Sequence, residues 1–391
     1  PNAVTFICSL RACSNVPSLQ RGHEIHNQIT AMGFEHALFI GNTLLDMYAK
    51  CGSVTEAHVV FDNLAARDVV SWSALIAAYA DLDLHEQAVD LFEEMQLEGI
   101  KPNEFSWNAV ILSASNHAEN EKAFGLYLQM LEKGQLPDVM TFASVLKAFG
   151  NVATLQNGKR IHSQVHREVF NEVEIVLATA LIDMYGKCGG MEEAQQVFDA
   201  MHSKDLVAWS AMITGYTRQG EVESVFCTYE RMRDEGVQPD ESTFLSVLNS
   251  CSHVGLVDKG WKYFESMIKD NPCFITIKHL NCMVDLLGRA GRLDEAILIL
   301  KSMPFKPDLS TCCTILNSCR IWGNITLGRH MFDVSRRLDG NHQTPYLLMY
   351  NVYADSHMWE EAKEIQEMYA KVQGEEVSGE SWICMDGYDY T

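Results

Sequence analysis

Histidines, cysteines and carboxylates are the side chains here that could carry covalent or metal chemistry, and their spacing argues against it. His23-Glu24-Ile25-His26 sets its histidines one residue too close for the His-Glu-x-x-His pattern, which aims two imidazoles at one zinc ion from one helix face. These side chains are expected to pack along one side of a helix. His117-Ala118-Glu119 offers a ligand and a proton carrier, a pair that needs a Cys-x-x-Cys to complete a zinc-bound water. None of the twelve cysteines forms that motif; most lie in apolar stretches such as Ala12-Cys13, Cys282-Met283 and Cys312-Cys313, where they read as reduced core residues. No Gly-rich phosphate loop and no nucleophile elbow is present. The sequence therefore predicts no catalytic residue, no metal site and no cofactor.

The bulk properties narrow the classes further. Hydrophobic residues make up 47% and charged residues 21%, which suits a soluble folded chain and excludes extensive disorder. No apolar run reaches the roughly 20 residues of a membrane-crossing helix, so no membrane partner is expected. Thirty Lys+Arg against 52 Asp+Glu give a net charge of −22, which argues against a protein that grips duplex DNA through its phosphates. The opening Pro1-Asn2 carries neither a methionine nor an Arg-rich leader and reads as the end of a repeat already under way, so a fragment or mature segment is expected.

The elements that must position any site emerge from self-comparison. Leu44-Leu45-Asp46-Met47-Tyr48-Ala49-Lys50-Cys51-Gly52 returns as Leu181-Ile182-Asp183-Met184-Tyr185-Gly186-Lys187-Cys188-Gly189, and more loosely at 283–291. Val69-Val70-Ser71-Trp72-Ser73-Ala74-Leu75-Ile76 returns at 206–213. Both closer matches lie 137 residues apart, an interval that divides into units of about 31, 35, 35 and 36 residues, the range of helix-pair solenoids. Apolar residues at helical spacing (Leu75, Ile76, Tyr79) mark the first helix of a unit, and Gly52, Gly189, Gly220 and Gly291 mark the turn. An acidic-alanine step (Glu56-Ala57, Glu193-Ala194, Glu295-Ala296, Glu361-Ala362) opens the second helix, where carboxylates favour the N-terminus. A Met, a Gly and a Pro-Asp or Pro-Asn step end it, as in Met130, Gly134 and Pro137-Asp138. The expected fold is all-α, a right-handed α-solenoid superhelix of about eleven helix-turn-helix repeats.

These phrases resemble pentatricopeptide repeats, and the alternating unit lengths resemble the plant organellar subclass that rotates P, L and S motifs. The alignment places an L unit at 3–37, S at 38–68, P at 69–103 and 104–138, L at 139–174, S at 175–205, P at 206–240, and a terminal L-like and S-like pair at 241–276 and 277–308. The repeat array thus spans 1–308; residues 309–343 resemble the family's first extension motif and 344–391 the second with a C-terminal tail, closing on Gly379-Glu380-Ser381-Trp382-Ile383 with Ser378 where the family carries proline.

The resemblance implies binding of single-stranded RNA at one base per repeat, so as to select a cytidine for C-to-U editing in plastid or mitochondrial transcripts. A DYW-type cytidine deaminase would come from a missing C-terminal domain or in trans, and organellar editing cofactors would dock through L motifs and extension motifs. In the family the fifth and last residues of a unit read the base edge and the second packs on its plane. Carried over, the reading pairs are Asn42/Asp68, Ser73/Asn103, Asn108/Asp138, Thr179/Asp205, Ser210/Asp240 and Asn281/Asp308, implying U, A, U, G, G and U. The packing residues are Phe39, Val70, Phe105, Met140, Val176 and Val207, for some of which a core role is equally compatible with the sequence. The L pairs Ile7/Ala37, Ala143/Glu174 and Leu245/Thr276 offer an apolar fifth residue and stay unread, which gives 5′ n-U-A-U-n-G-G-n-U with the edited C four nucleotides beyond the last U. Lys50, Lys147, Lys187 and Arg289 are expected to gather near the RNA path. The competing expectation is a tetratricopeptide-like scaffold for a protein segment, suited to an acidic surface.

Overall fold

Most first helices with a described cap begin where an Asp or Asn accepts the otherwise unpaired backbone N–H groups of the first turn, whereas Ala37, Thr276 and His342 precede three others. Asn2, Asp68, Asn103, Asp205, Asp240 and Asp308 all cap helices in this way with extended backbone. The computed structural model describes residues 1–34, 37–152, 155–168, 175–270, 275–302 and 306–373. Within them lie helices and their connections, in two compact units, 1–203 and 204–391. The expected tail motif at 379–383 and Glu174 lie outside the described residues.

The first unit holds six helix pairs: α1 (Ala3–Asn15) with α2 (Leu19–Ala31), α3 (Leu38–Lys50) with α4 (Val54–Asp62), α5 (Val69–Asp81) with α6 (His85–Leu97), α7 (Glu104–Asn116) with α8 (Asn120–Glu132), α9 (Val139–Val152) with α10 (Leu155–Glu168), and α11 (Ile175–Cys188) with α12 (Met191–Ala200). The second holds five: α13 (Leu206–Gln219) with α14 (Val222–Asp234), α15 (Glu241–Val254) with α16 (Val257–Asp270), α17 (Ile277–Arg289) with α18 (Leu293–Ser302), α19 (Leu309–Trp322) with α20 (Ile325–Leu338), and α21 (Gln343–Asp355) with α22 (Trp359–Gln373). The fold is an all-α helical-repeat solenoid. First helices follow the expected unit boundaries, with α21 starting one residue early, at Gln343.

In each unit the first helices pack side by side, α1 on α3 on α5 on α7 on α9 on α11, and α13 on α15 on α17 on α19 on α21. Second helices instead pack on the first helices of their own and the next repeat. One layer is therefore built of first helices alone, and residues at equal positions recur along it once per repeat.

Burial explains the recurring residues. Trp72, Trp107 and Trp209, the fourth residues of their repeats, are fully buried, and Trp72 and Trp107 meet Phe61 and Phe92 of the preceding second helix edge to face at 4.7 Å. Ala57, Ala194, Ala296 and Ala362 are buried where two helices approach closely. The turn inside most described repeats uses a left-handed residue, such as Gly220 (φ 71°), but in three repeats this is Asp83, Ala118 or His357 with φ near +60°, where a Cβ is strained.

Candidate nucleic-acid interface

At four junctions the capping residue that starts a first helix also reaches back to the preceding repeat. Asn42 Nδ2 donates to Asp68 Oδ1 at 3.3 Å, and Asn108 Nδ2 donates to Asp138 Oδ2 at 2.9 Å. Ser73 Oγ lies 3.0 Å from Asn103 Oδ1, and Ser210 Oγ lies 3.2 Å from Asp240 Oδ1. Four of the six sequence-derived pairs are thus in contact, although 26 to 30 residues separate the partners along the chain. Thr179 belongs to the first unit and Asp205 to the second. The Thr179 hydroxyl donates to Ile175 O at 2.6 Å, and Asp205 caps α13 through Ala208 N–H at 2.9 Å.

A third residue joins these pairs, one that the sequence reading passed over. Three residues after each cap stands Ser71, Ser106, Thr141, Thr243 or Thr311, every one fully buried. Its backbone N–H donates to the cap side chain at 2.7 to 3.0 Å. In four junctions its hydroxyl also meets the fifth residue: Ser106 and Thr243 lie 2.8 Å from the Ser73 and Ser210 hydroxyls, and the Thr141 and Thr311 hydroxyls, each with one hydrogen between the cap carboxylate and an amide oxygen, lie 2.5 and 2.6 Å from Oδ1 of Asn108 and Asn281. The signal was present as a Ser or Thr at a fixed offset from the cap, but it is also what an ordinary helix start looks like.

These contacts set the charge of the site. Burial pushes the carboxyl of Asp68 up, but hydrogen bonds from the backbone N–H of Ser71, the Asn42 amide and the backbone N–H of Val70 outweigh it and hold Asp68 below the usual carboxylate range. Asp138 and Asp308 follow the same pattern: burial is opposed chiefly by the N–H and hydroxyl of Thr141 and of Thr311. All three remain acceptors at neutral pH.

Exposure separates the reading residues. Asn42, Asn108, Thr179 and Asn281 are half-buried, as are Asp68, Asn103, Asp138, Asp240 and Asp308, while Asp205 is exposed. Ser73 and Ser210 are only 7% exposed, which leaves Asn103 and Asp240 as the more open member of those pairs. At the second position Phe39 is 81% exposed and Phe105 75%, with Val70, Met140, Val176 and Val207 also exposed. Repeats 38–68, 69–103, 104–138 and 206–240 therefore each carry one exposed apolar side chain and one polar pair on the first helix.

The L junction at 276 is built differently. The half-buried Leu245 makes no polar pair with Thr276, and the fully buried His279 occupies the Ser/Thr place. His279 Nε2 lies 2.9 Å from the carbonyl of Glu241, which only accepts, so Nε2 carries the proton and Nδ1 accepts from the Thr276 hydroxyl at 2.9 Å. Burial lowers the His279 pKa and keeps the ring neutral.

Three of the four cations expected along the site are matched by a carboxylate one helical turn earlier: Lys50 with Asp46 at 2.9 Å, Lys187 with Asp183 at 2.6 Å and Arg289 with Asp285 at 2.9 Å. Lys147 donates to Asn116 Oδ1 at 2.7 Å. Local pairing offsets the positive charge foreseen there. His26 shares a 2.8 Å hydrogen bond with the Tyr48 hydroxyl, His23 lies 3.8 Å from Glu56, and His117 and Glu119 flank the turn at Ala118. Among the described residues no His, Cys, Asp and Glu group could hold a metal ion, and no helix is long and apolar enough to cross a membrane.

Fold and site together define a helix-pair solenoid with a polar pair at four of its repeat junctions. The chain belongs to the pentatricopeptide repeat family: the PPR repeat family profile matches residues 67–111, 103–151 and 204–253, and the PPR repeat profile matches 42–69, 176–206, 242–272 and 279–306. It is 35% identical over 389 residues to the chloroplastic pentatricopeptide repeat-containing protein CRR2 of Arabidopsis thaliana, covering 97% of this chain and 53% of that protein. It is 33% identical over 389 residues to a putative mitochondrial pentatricopeptide repeat-containing protein of the same plant, covering 98% and 56%. The chain spans about half the length of these curated relatives. Its fold matches that of the pentatricopeptide repeat protein PPR10 in complex with an 18-nt psaJ RNA element, with a TM-score of 0.81 at 18% identity over 96% of this chain and 56% of that one.

Proposed function

We propose that this chain binds single-stranded RNA in a sequence-specific way, one base per P or S repeat, and selects a cytidine for C-to-U editing in an organellar transcript. The observation that carries the reading is the recurrence, within the units, of hydrogen-bonded fifth-and-last-residue pairs beside exposed second-position side chains on first helices. Amides, hydroxyls and carboxylates at that spacing offer donors and acceptors to successive base edges, while Phe39, Val70, Phe105, Val176 and Val207 offer apolar surface to base planes. The RNA in the PPR10 complex supports a nucleic-acid ligand, and the chloroplastic and mitochondrial names of the relatives support an organelle.

The finer assignments stand on the motif resemblance: the PLS subclass, extension motifs at 309–343 and 344–391, and a DYW-type deaminase in a further C-terminal domain or in trans, with editing cofactors meeting the L motifs and extension motifs. Because local pairing offsets the cations, affinity rests on bases more than on phosphates, and binding is expected to depend weakly on salt.

The test is a titration, at fixed salt, with labelled RNA holding U-A-U-n-G-G-n-U and with the same RNA carrying C at both G positions. Weaker binding to the second RNA is the expected result. Equal affinity, or none, would overturn base reading and favour a scaffold for a protein segment, which the net charge of −22 would suit.

A further inference from the structure

We infer that Thr141 and Thr311 are positioning residues that fix which end of the preceding repeat's asparagine amide faces the RNA, and so set how strongly that repeat tells uracil from cytosine. The inference rests on the base-reading proposal and adds a residue to it. Asn108 Nδ2 donates one hydrogen to Asp138 Oδ2 at 2.9 Å, and Asn108 Oδ1 lies 2.5 Å from the Thr141 hydroxyl, which also lies 2.7 Å from Asp138 Oδ1. Thr141 is held in turn by its own N–H on Asp138 Oδ1 at 2.7 Å and by complete burial. The amide then has one free group, its second N–H, which is a donor. Thr311 repeats the hydroxyl contacts, 2.6 Å from Asn281 Oδ1 and 2.7 Å from Asp308 Oδ1. Uracil presents a carbonyl acceptor where cytosine presents an amine donor, so a donor that cannot turn over favours uracil.

Asn42 supplies the internal contrast. It forms the same Asn/Asp pair with Asp68, but the third member is Ser71. The Ser71 hydroxyl donates to the carbonyl of Asp68 at 2.8 Å and accepts from the Asp68 N–H at 2.9 Å, and it does not reach Asn42. Asn42 Oδ1 is buried without a hydrogen-bond partner, and its Nδ2 lies 3.3 Å from the carboxylate, against 2.9 Å at Asn108. Threonine is restricted at χ1 by its methyl group, whereas serine takes both positions: Ser106 reaches Ser73 at 2.8 Å and Ser71 turns back onto the Asp68 carbonyl. One pair of reading residues thus exists in a held and a loose form.

The experiment measures the ratio of Kd values for RNAs that differ only by U or C, first at the base facing repeat 104–138 and then at the base facing repeat 38–68. Thr141→Val keeps the shape and removes the hydroxyl; it is expected to lower the U-over-C ratio at the first base by about tenfold while the ratio facing repeat 277–308 stays unchanged. Thr141→Ser should lower it toward the ratio at repeat 38–68, and Ser71→Thr should raise the ratio at that repeat. The unchanged distant ratio separates lost positioning from a general loss of fold. Wild-type discrimination that survives Thr141→Val and does not rise with Ser71→Thr would overturn the positioning role alone. A wild-type protein that ignores U or C at every repeat would overturn both this role and base reading.

Discussion

The junction at Asp138 and the junction at Thr276 are built on the same helix-to-helix contact and use it differently. At the first, a carboxylate caps α9, takes an amide hydrogen from Asn108 and is held by Thr141, while Asn108 keeps one N–H unused. At the second, Thr276 and Glu241 satisfy both nitrogens of His279, and Leu245 has nothing polar to offer. A cap is needed wherever a first helix begins, so capping explains both junctions. Only the first leaves a donor over for something outside the protein. Polar pairing and helix capping are therefore separable jobs in this chain.

The largest effect expected from disturbing this contrast comes from the packing beneath it. Trp107→Ala empties the fully buried fourth position of repeat 104–138, costs about 3–5 kcal/mol of stability and lowers RNA binding through every repeat, read by denaturant unfolding. Asp138→Ala should cost about 1–2 kcal/mol for the lost cap and remove base preference at that repeat alone, checked by unfolding beside single-base RNA variants. His279→Ala should cost about 1–3 kcal/mol through the carbonyl and hydroxyl it leaves unpaired, yet move no base preference. A changed RNA preference in that variant would erase the distinction between the two junctions.

Acid should divide them as well. His279 has a lowered folded pKa, so its unfolded form takes up protons first, and stability is lost as pH falls below about 6.5. Asp68, Asp138 and Asp308 are also lowered, so their contribution is complete above about pH 4 and is lost as pH falls through their folded values. Thermal melts across pH 2–7 should show two zones of decline, one beginning below about pH 6.5 and one beginning below about pH 4, with the upper one absent in His279→Ala. The smallest effect is Ala118→Gly, which relieves a left-handed alanine in the turn of repeat 104–138 and should add about 0.5–1 kcal/mol without altering RNA preference.

Most of the fold could be read in advance because repetition multiplies weak signals. A single Pro-Asp step or buried Trp says little, but Trp72, Trp107 and Trp209 at one register fix the boundary of a unit. The reading pairs were legible through the family resemblance, and their separation in sequence became contact because first helices pack on first helices. The third residue was not legible as such, since Thr141 is chemically the same as any residue that follows a cap. Burial of Ser73 and Ser210 depends on the neighbouring Ser106 and Thr243, which one repeat cannot reveal alone. The neutralised cations at Lys50, Lys187 and Arg289 could have been foreseen, because each has its aspartate four residues earlier. The left-handed turns at Asp83 and His357 had no glycine to mark them.

The most direct test of base reading by these pairs is to recode one. RNA preference at the base facing repeat 104–138 would be measured for the wild type and for Asn108→Ser, which gives that repeat the Ser/Asp pairing found at Ser210 and Asp240. The account predicts a change from U to G at that base alone, with the other positions untouched. Preference that stays at U, or weakens equally at every base, would contradict it.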